Sequence, residues 1–211
     1  MSSLKIWGRI SSINVKKVVW AAQELGLNFD RHEAGGVHGI VKTPAYVALN
    51  PNSQIPVMED DDYVLWESNV ITRYLCAKHS QGNLYPSDLQ ERFDAERWME
   101  WQQTTVNPAS RNGFWHLIRL PVDQRDPVLI VQSNAAVELL MAMLDAHLAT
   151  HSFMVGERFT MADIPLGCEV QRWFGLPQTR EKRPNIERWF ATLLARPAAA
   201  GVLDLALVER I

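Results

Sequence analysis

Cysteine is scarce in this chain of 211 residues: Cys76 and Cys168 stand far apart, each inside a helix-like stretch. They offer no disulfide framework and suit a reducing compartment, so a cytoplasmic location is expected. An excess of positive charge is also missing. The 21 Lys and Arg are outnumbered by 24 Asp and Glu, for a formal net charge of −3. A nucleic-acid-binding face would need clustered cations, and none is expected here. No run approaches the roughly 18 apolar residues of a membrane span. The start, Met1-Ser2-Ser3-Leu4-Lys5-Ile6-Trp7, lacks a basic segment followed by an apolar one, so neither membrane insertion nor secretion is expected. Internal repeats and low-complexity tracts are absent as well.

What is present is globular in character. Hydrophobic residues make up 47% and charged residues 21%, enough for one large domain or two modest ones with real cores. Leu4 to Trp7 reads as a short strand closed by Gly8. Val15, Val18, Val19 and Ala22 then recur at helical spacing, and Gly26 stops that helix. Residues 28–33 can form a second strand, and the glycine-rich 34–39 segment a loop. Ile55 to Met58 and Tyr63 to Trp66, joined by an acidic turn at Asp60-Asp61-Asp62, read as a hairpin with a solvated tip. Ser68 opens a helix with Val70, Ile71, Tyr74 and Leu75 on one side. After a linker over residues 79–86, strand signals nearly vanish. Helical patterns occupy about 88–106, 128–150, 161–174 and 184–196, with prolines at or near their ends. The expectation is an α+β protein: an N-terminal α/β domain over residues 1–79, then an all-α domain over 87–211.

Separated motifs carry the functional reading. One is Ser11-Ser12-Ile13-Asn14-Val15-Lys16-Lys17-Val18, at a strand-to-helix turn. Another is Asn50-Pro51-Asn52-Ser53-Gln54-Ile55-Pro56-Val57, continued by Leu65-Trp66-Glu67-Ser68-Asn69-Val70-Ile71. The last is Phe159-Thr160-Met161-Ala162-Asp163-Ile164. In order and spacing they resemble the soluble glutathione transferases, in particular the bacterial, theta-like, serine-type classes. The resemblance spans most of the chain. It implies a thioredoxin-like glutathione-binding domain, a helical domain, glutathione as co-substrate with no bound cofactor or metal, and a homodimer.

Each motif also has a physical reading. Pro56 interrupts a strand, which an unbroken ladder does not tolerate. The family's proline here is cis, and Ile55 would offer its N–H and C=O to the cysteinyl part of glutathione as an added strand does. The plainer alternative is an edge-strand proline. Ser68 is a good N-cap, exposed amides at a helix start attract a carboxylate, and Glu67 can hold an ammonium. That pairing suits the γ-glutamyl head group, while ordinary helix capping is the alternative. Gln54 is a further candidate for glutathione. Thr160 and Asp163 form a capping box, a folding determinant without chemistry.

Glutathione's thiol, with a pKa of about 8.5, is only slightly ionised at neutral pH. Lowering it by about 2 units takes roughly 2.7 kcal/mol, within reach of a hydrogen bond to the anion assisted by a helix N-terminus. Registering Lys16-Lys17-Val18 against the family places Ser12 at its catalytic serine. Ser11 is a rival one residue away, and Asn14 falls where some bacterial classes carry an asparagine. Trp7 lies near the catalytic tyrosine of many animal classes, which speaks against tyrosine activation, and no cysteine occupies the motif. Phe114 and Trp115 are candidates for the pocket of a small hydrophobic electrophile, with ordinary core packing as the alternative. His147 and His151, four apart on an expected helix, lack a third ligand and are assigned to the surface. The expected activity is transfer of glutathione to an electrophilic carbon. Isomerase, dehalogenase or peroxidase chemistry, or a non-catalytic module of the same fold, are the alternatives.

Overall fold

The computed structural model describes residues 4–207. The outermost residues of both expected domains, 1–3 and 208–211, lie outside the described residues. The elements run β1 (Leu4–Trp7), α1 (Ile13–Glu24), β2 (Phe29–His32), α2 (Pro44–Leu49), β3 (Val57–Asp60), β4 (Tyr63–Trp66) and α3 (Ser68–His79). Helices follow: α4 (Leu89–Trp101), α5 (Asn107–Phe114), α6 (Pro127–Leu148), α7 (Asp163–Gly175) and α8 (Pro184–Leu194).

The sheet has the order β2-β1-β3-β4, with β1 parallel to β2 and antiparallel to β3. Leu4 and Ile6 of β1 are buried, the alternation expected of a strand with one face on a core. Helix α1 buries more than its apolar stripe. Lys16, Lys17 and Trp20 join Val15, Val18 and Val19 inside, because α3 packs on one side of the helix and α7 on another. Gly167 of α7 is what permits that approach. A Cβ built there would lie 2.8 Å from the Trp20 ring and 2.9 Å from Leu193. One apolar cluster therefore runs through both halves of the chain, from Ile6 and Ile71 to Trp189.

Several expectations are corrected. Thr43-Pro44 starts a short helix, α2, between the expected 34–39 loop and the expected hairpin, where no element was anticipated: Thr43 caps it by accepting from the Tyr46 N–H, and proline takes the first helical position. The pattern over 88–106 does not end ahead of Pro108. Helix α4 passes through a π-helical turn (Gln102–Val106) into α5 and a second π-helical turn (Trp115–Arg119). The widened turn just before Pro108 accommodates a residue that lacks an N–H and crowds the preceding carbonyl. Asp60 is buried rather than solvated, accepting from the Tyr74 hydroxyl at 2.6 Å and the Lys78 ammonium at 2.5 Å. Val70 is exposed, and the inner face of α3 is Ile71, Thr72, Leu75 and Cys76. His151 lies beyond the end of α6, stacked on a half-buried His147.

Helix α6 reaches a mean hydropathy of 1.6 over 18 residues, so it is long and apolar enough to cross a membrane, contrary to expectation. Its polar residues fasten neighbouring helices. Ser133 bonds Gly113 and Ala109, Glu138 accepts from Trp173, and Asp145 accepts the first amides of α8. The expected capping box is not formed as such: Ala162 is the N-cap of α7, Asp163 its first residue, and the Thr160 hydroxyl accepts from the Ala162 amide. Asp163 still organises the fold, its carboxylate accepting from the Thr160 amide at 2.9 Å, the Met154 amide at 3.0 Å and the Trp189 indole at 2.9 Å.

Candidate active site

Strand register gathers the first two motifs at one end of the sheet. Trp7, the last residue of β1, pairs with Val57, the first of β3, and Val57 pairs with Trp66, the last of β4. The loop after β1 therefore emerges beside Ile55-Pro56, with Glu67-Ser68 one strand further along the same end of the sheet. Ile55-Pro56 is a cis peptide outside the ladder, and Gln54 is pinned through its main-chain oxygen by the Tyr46 hydroxyl and the Asn50 amide. A Cβ on Gly8 would stand 2.4 Å from Val15 and 3.3 Å from Ile55, so only glycine lets this loop pass so close. Ser68 is not the N-cap of α3. Glu67 holds that position with a φ of 75°, and Ser68 is the first helical residue, buried at 4% exposure.

Between the loop after β1 and helix α5 lies a cleft of about 300 Å³. Ser11, Ser12, Asn14 and Gln54 line one wall, and Phe114 and Trp115 the other. Ile55, Pro56, Glu67 and Ser68 are not part of that lining and sit at the adjoining end of the sheet. The Ser12 side chain makes no capping bond although Ser12 is the N-cap of α1. The Ser11 hydroxyl and the Asn14 side-chain oxygen are buried with no partner. Unspent polar groups at a helix start are what an anionic ligand atom would meet.

Sequence reasoning missed the arginines. Arg9, Arg111, Arg119 and Arg172 all line the cleft. Arg119 stacks over Phe114 at 5.0 Å from the ring centroid, and Arg172 at 4.6 Å. Burial, followed by repulsion from Arg9 and Arg172, pushes the Arg119 pKa down to about 10, still well above neutrality. Burial also lowers Arg9, against the pull of Glu33. The helix supplied a readable signal, since Asn107, Arg111, Trp115 and Arg119 follow one another at spacings of four.

Neither cysteine is placed to act as a nucleophile. Burial pushes both Cys76 and Cys168 up to about 12. Trp7 is also committed elsewhere, its indole donating to Glu59 at 2.6 Å and stacking on His32. Among the described residues no group of His, Cys, Asp and Glu is arranged to hold a metal ion.

Comparison with known proteins finds two family models on the chain. The glutathione S-transferase N-terminal domain matches residues 2–77, and the C-terminal domain residues 112–197. Glutathione S-transferase GstB of Escherichia coli K12 is 37% identical over 202 residues, covering 95% of this chain and 97% of that protein. Elongation factor 1-gamma 1 of Oryza sativa subsp. japonica is 30% identical over 87% of this chain but only 44% of its own length. Among solved structures, the theta class glutathione S-transferase of Xanthomonas axonopodis pv. citri with glutathione bound superposes with a TM-score of 0.95. It is 41% identical, over 99% of this chain and all of that one.

Proposed function

The chain belongs to the glutathione S-transferase family, and we propose that it ionises the thiol of bound glutathione and delivers the thiolate to a small electrophile. The observation that carries this reading is the cleft itself. It joins Ser11, Ser12 and Asn14 at the head of α1 to Phe114 and Trp115 of the helical half. In this reading glutathione is co-substrate. Its γ-glutamyl end lies at Glu67-Ser68, its cysteinyl backbone along Ile55-Pro56 with Gln54 beside it, and its sulfur at the hydroxyl of Ser12. No cysteine of the chain competes, because both thiols are buried and held protonated.

The working division is a glutathione-binding unit over residues 1–79 and a helical unit over 87–211, in a cytoplasmic homodimer. Exposed Trp66, Val70 and Phe93 support the dimer. Arg73 bridges α3 to Glu96 and Glu100 of α4, so Val70 and Phe93 each lie one turn from the same ionic seam. On the side of the non-catalytic alternative, one relative is named an elongation factor rather than a transferase. The unpartnered groups at the head of α1 favour the enzyme. The test is mass-spectrometric detection of glutathione adducts across aryl halides, enones, isothiocyanates and hydroperoxides. Catalysed adduct formation or glutathione-dependent peroxide reduction is expected, and glutathione binding without any turnover would overturn the reading.

A further inference from the structure

We propose that the second substrate carries an anionic group, a carboxylate or similar oxyanion, held by Arg111 and Arg119 while its apolar body lies against Phe114 and Trp115. The inference rests on the transferase reading and names its substrate class. An apolar electrophile alone would need no cations in the cleft, yet four arginines line it. Of these four, Arg172 is the one with an ion-pair partner among the described residues, Glu169 at 3.3 Å. Among the described residues no carboxylate comes within ion-pair distance of Arg9, Arg111 or Arg119. One terminal nitrogen of Arg119 is buried without any hydrogen-bond partner, and the other donates to the Ser11 main-chain oxygen at 3.3 Å.

Cations gathered in one partly buried cleft are costly: burial first, then repulsion from Arg9 and Arg172, lowers the Arg119 pKa. An arriving anion relieves that cost. A guanidinium fork matches an oxyanion in a bidentate geometry that water cannot reproduce as well. Arg111 and Arg119 stand eight residues apart on one continuous helix, with Trp115 midway, and all three line the cleft. An aromatic electrophile with a charged substituent would lay its ring on Trp115 and present its anion to both arginines. Arg9, packed against Gly35 and Gly36 in the α/β half, is on the opposite wall.

The experiment uses 4-chloro-3-nitrobenzoate and its uncharged counterpart 4-chloro-3-nitrobenzamide. In each reaction the thiol proton passes to water. The thiolate sulfur forms the C–S bond, and chloride leaves with the C–Cl electron pair. Each kcat/KM is divided by the uncatalysed rate with glutathione, so intrinsic reactivity cancels. A preference for the benzoate of at least about tenfold is expected, the effect of one charge-assisted contact. It should shrink by severalfold between 0.1 M and 1 M salt as the Debye length falls from about 10 Å to about 3 Å. Arg111→Gln, at an exposed position, should lower the benzoate-to-amide ratio about tenfold, and Arg119→Gln should do the same.

Equal normalised turnover of the two electrophiles overturns the inference while leaving the transferase reading intact. So does an Arg111→Gln variant that raises the KM for glutathione equally with both electrophiles and leaves their ratio unchanged, since the arginines would then serve glutathione. No adduct from either compound, with none in the wider screen, defeats the transferase reading itself.

Discussion

The Arg119 guanidinium donates to the main-chain oxygen of Ser11 at 3.3 Å, tying the far end of the long α4–α5 helix to the loop that opens α1. The bond spans 108 residues of sequence and closes the cleft across the two halves of the chain. It occupies the Ser11 carbonyl and leaves both serine hydroxyls free of capping duty.

That freedom sets the first prediction. If the Ser12 hydroxyl donates to the sulfur anion, Ser12→Ala should raise the pKa of bound glutathione thiol and leave glutathione affinity nearly intact. A loss of about 2 kcal/mol corresponds to roughly thirty-fold slower turnover at neutral pH, with partial recovery in alkali. Thiolate absorbance near the ultraviolet edge, followed against pH, measures the shift directly. The same titration of Ser11→Ala and Asn14→Ala tests the neighbours, whose side-chain oxygens are buried and unpartnered. A shift in Ser11→Ala alone moves the register by one residue.

Ser68 is the first residue of α3, nearly buried, and follows a Glu67 held in the left-handed region. If its hydroxyl and amide receive the γ-glutamyl carboxylate, Ser68→Ala should weaken glutathione at least tenfold, the worth of a hydrogen bond to a charged group. Calorimetric titration of the folded variant is the measurement, and unchanged affinity would remove Ser68 from the site.

Much of this arrangement was legible in the sequence, and the misses share a cause. Leu4 to Trp7, the α1 stripe and the Tyr63 to Trp66 strand follow from local periodicity, which needs only neighbours in the chain. The serines ahead of α1 and the asparagine in its first turn were legible as candidates because the chemistry of a helix start is local too. Asp60 was misread because its burial depends on Tyr74 and Lys78 arriving from another element. The arginine stripe was missed because Pro108 marked a helix end by its own chemistry, whereas the π-helical turn ahead of it absorbs the proline. Without a continuous helix, Arg111 and Arg119 had no reason to share a face.

The dimer prediction turns on Phe93, 62% exposed on α4. Burying such a ring against a second copy contributes about 2 kcal/mol or more, and a buried carboxylate in its place costs several. Phe93→Glu should therefore convert a dimer to a monomer in sedimentation velocity at micromolar concentration, with its circular dichroism unchanged. A wild-type protein already monomeric there would refute the dimer outright.

Asp163 offers a stability test independent of catalysis. Its buried carboxylate, pushed up to about 6 by burial, accepts from two backbone amides and the Trp189 indole. Asp163→Ala strands all three donors, at about 1–3 kcal/mol each, and should cost at least about 3 kcal/mol in urea denaturation. Asp163→Asn keeps one acceptor oxygen and removes a buried charge, so its loss should be clearly smaller. Equal losses would mean that packing, rather than donor satisfaction, sets the effect.

Lys17 carries the pH dependence with the clearest sign. It is fully buried in α1, and its ammonium donates to Gln103 of the helical half at 3.0 Å. Burial lowers its pKa from 10.5 to about 8, with Glu169 the strongest opposing influence. Below pH 8 the lysine is charged in both folded and unfolded chains, and the full cost of burying the cation is present. Between about 8 and 10.5 the folded protein has released the proton while the unfolded chain still holds it. The unfolded state then binds more protons, so stability rises with pH across that window, by about 3 kcal/mol in total. Lys17→Met keeps the side-chain length and removes the charge. It should be more stable than wild type at pH 7 by about 1–3 kcal/mol, as replacements of buried charges by apolar residues often are. The advantage should shrink toward zero as pH approaches 10.5. Urea unfolding of both proteins at pH 7, 8, 9 and 10 gives the difference directly, and other titrating groups cancel in it. A difference that stays constant with pH would show that Lys17 does not titrate in this range. A destabilised Lys17→Met would show that the bond to Gln103 outweighs the cost of burying the cation.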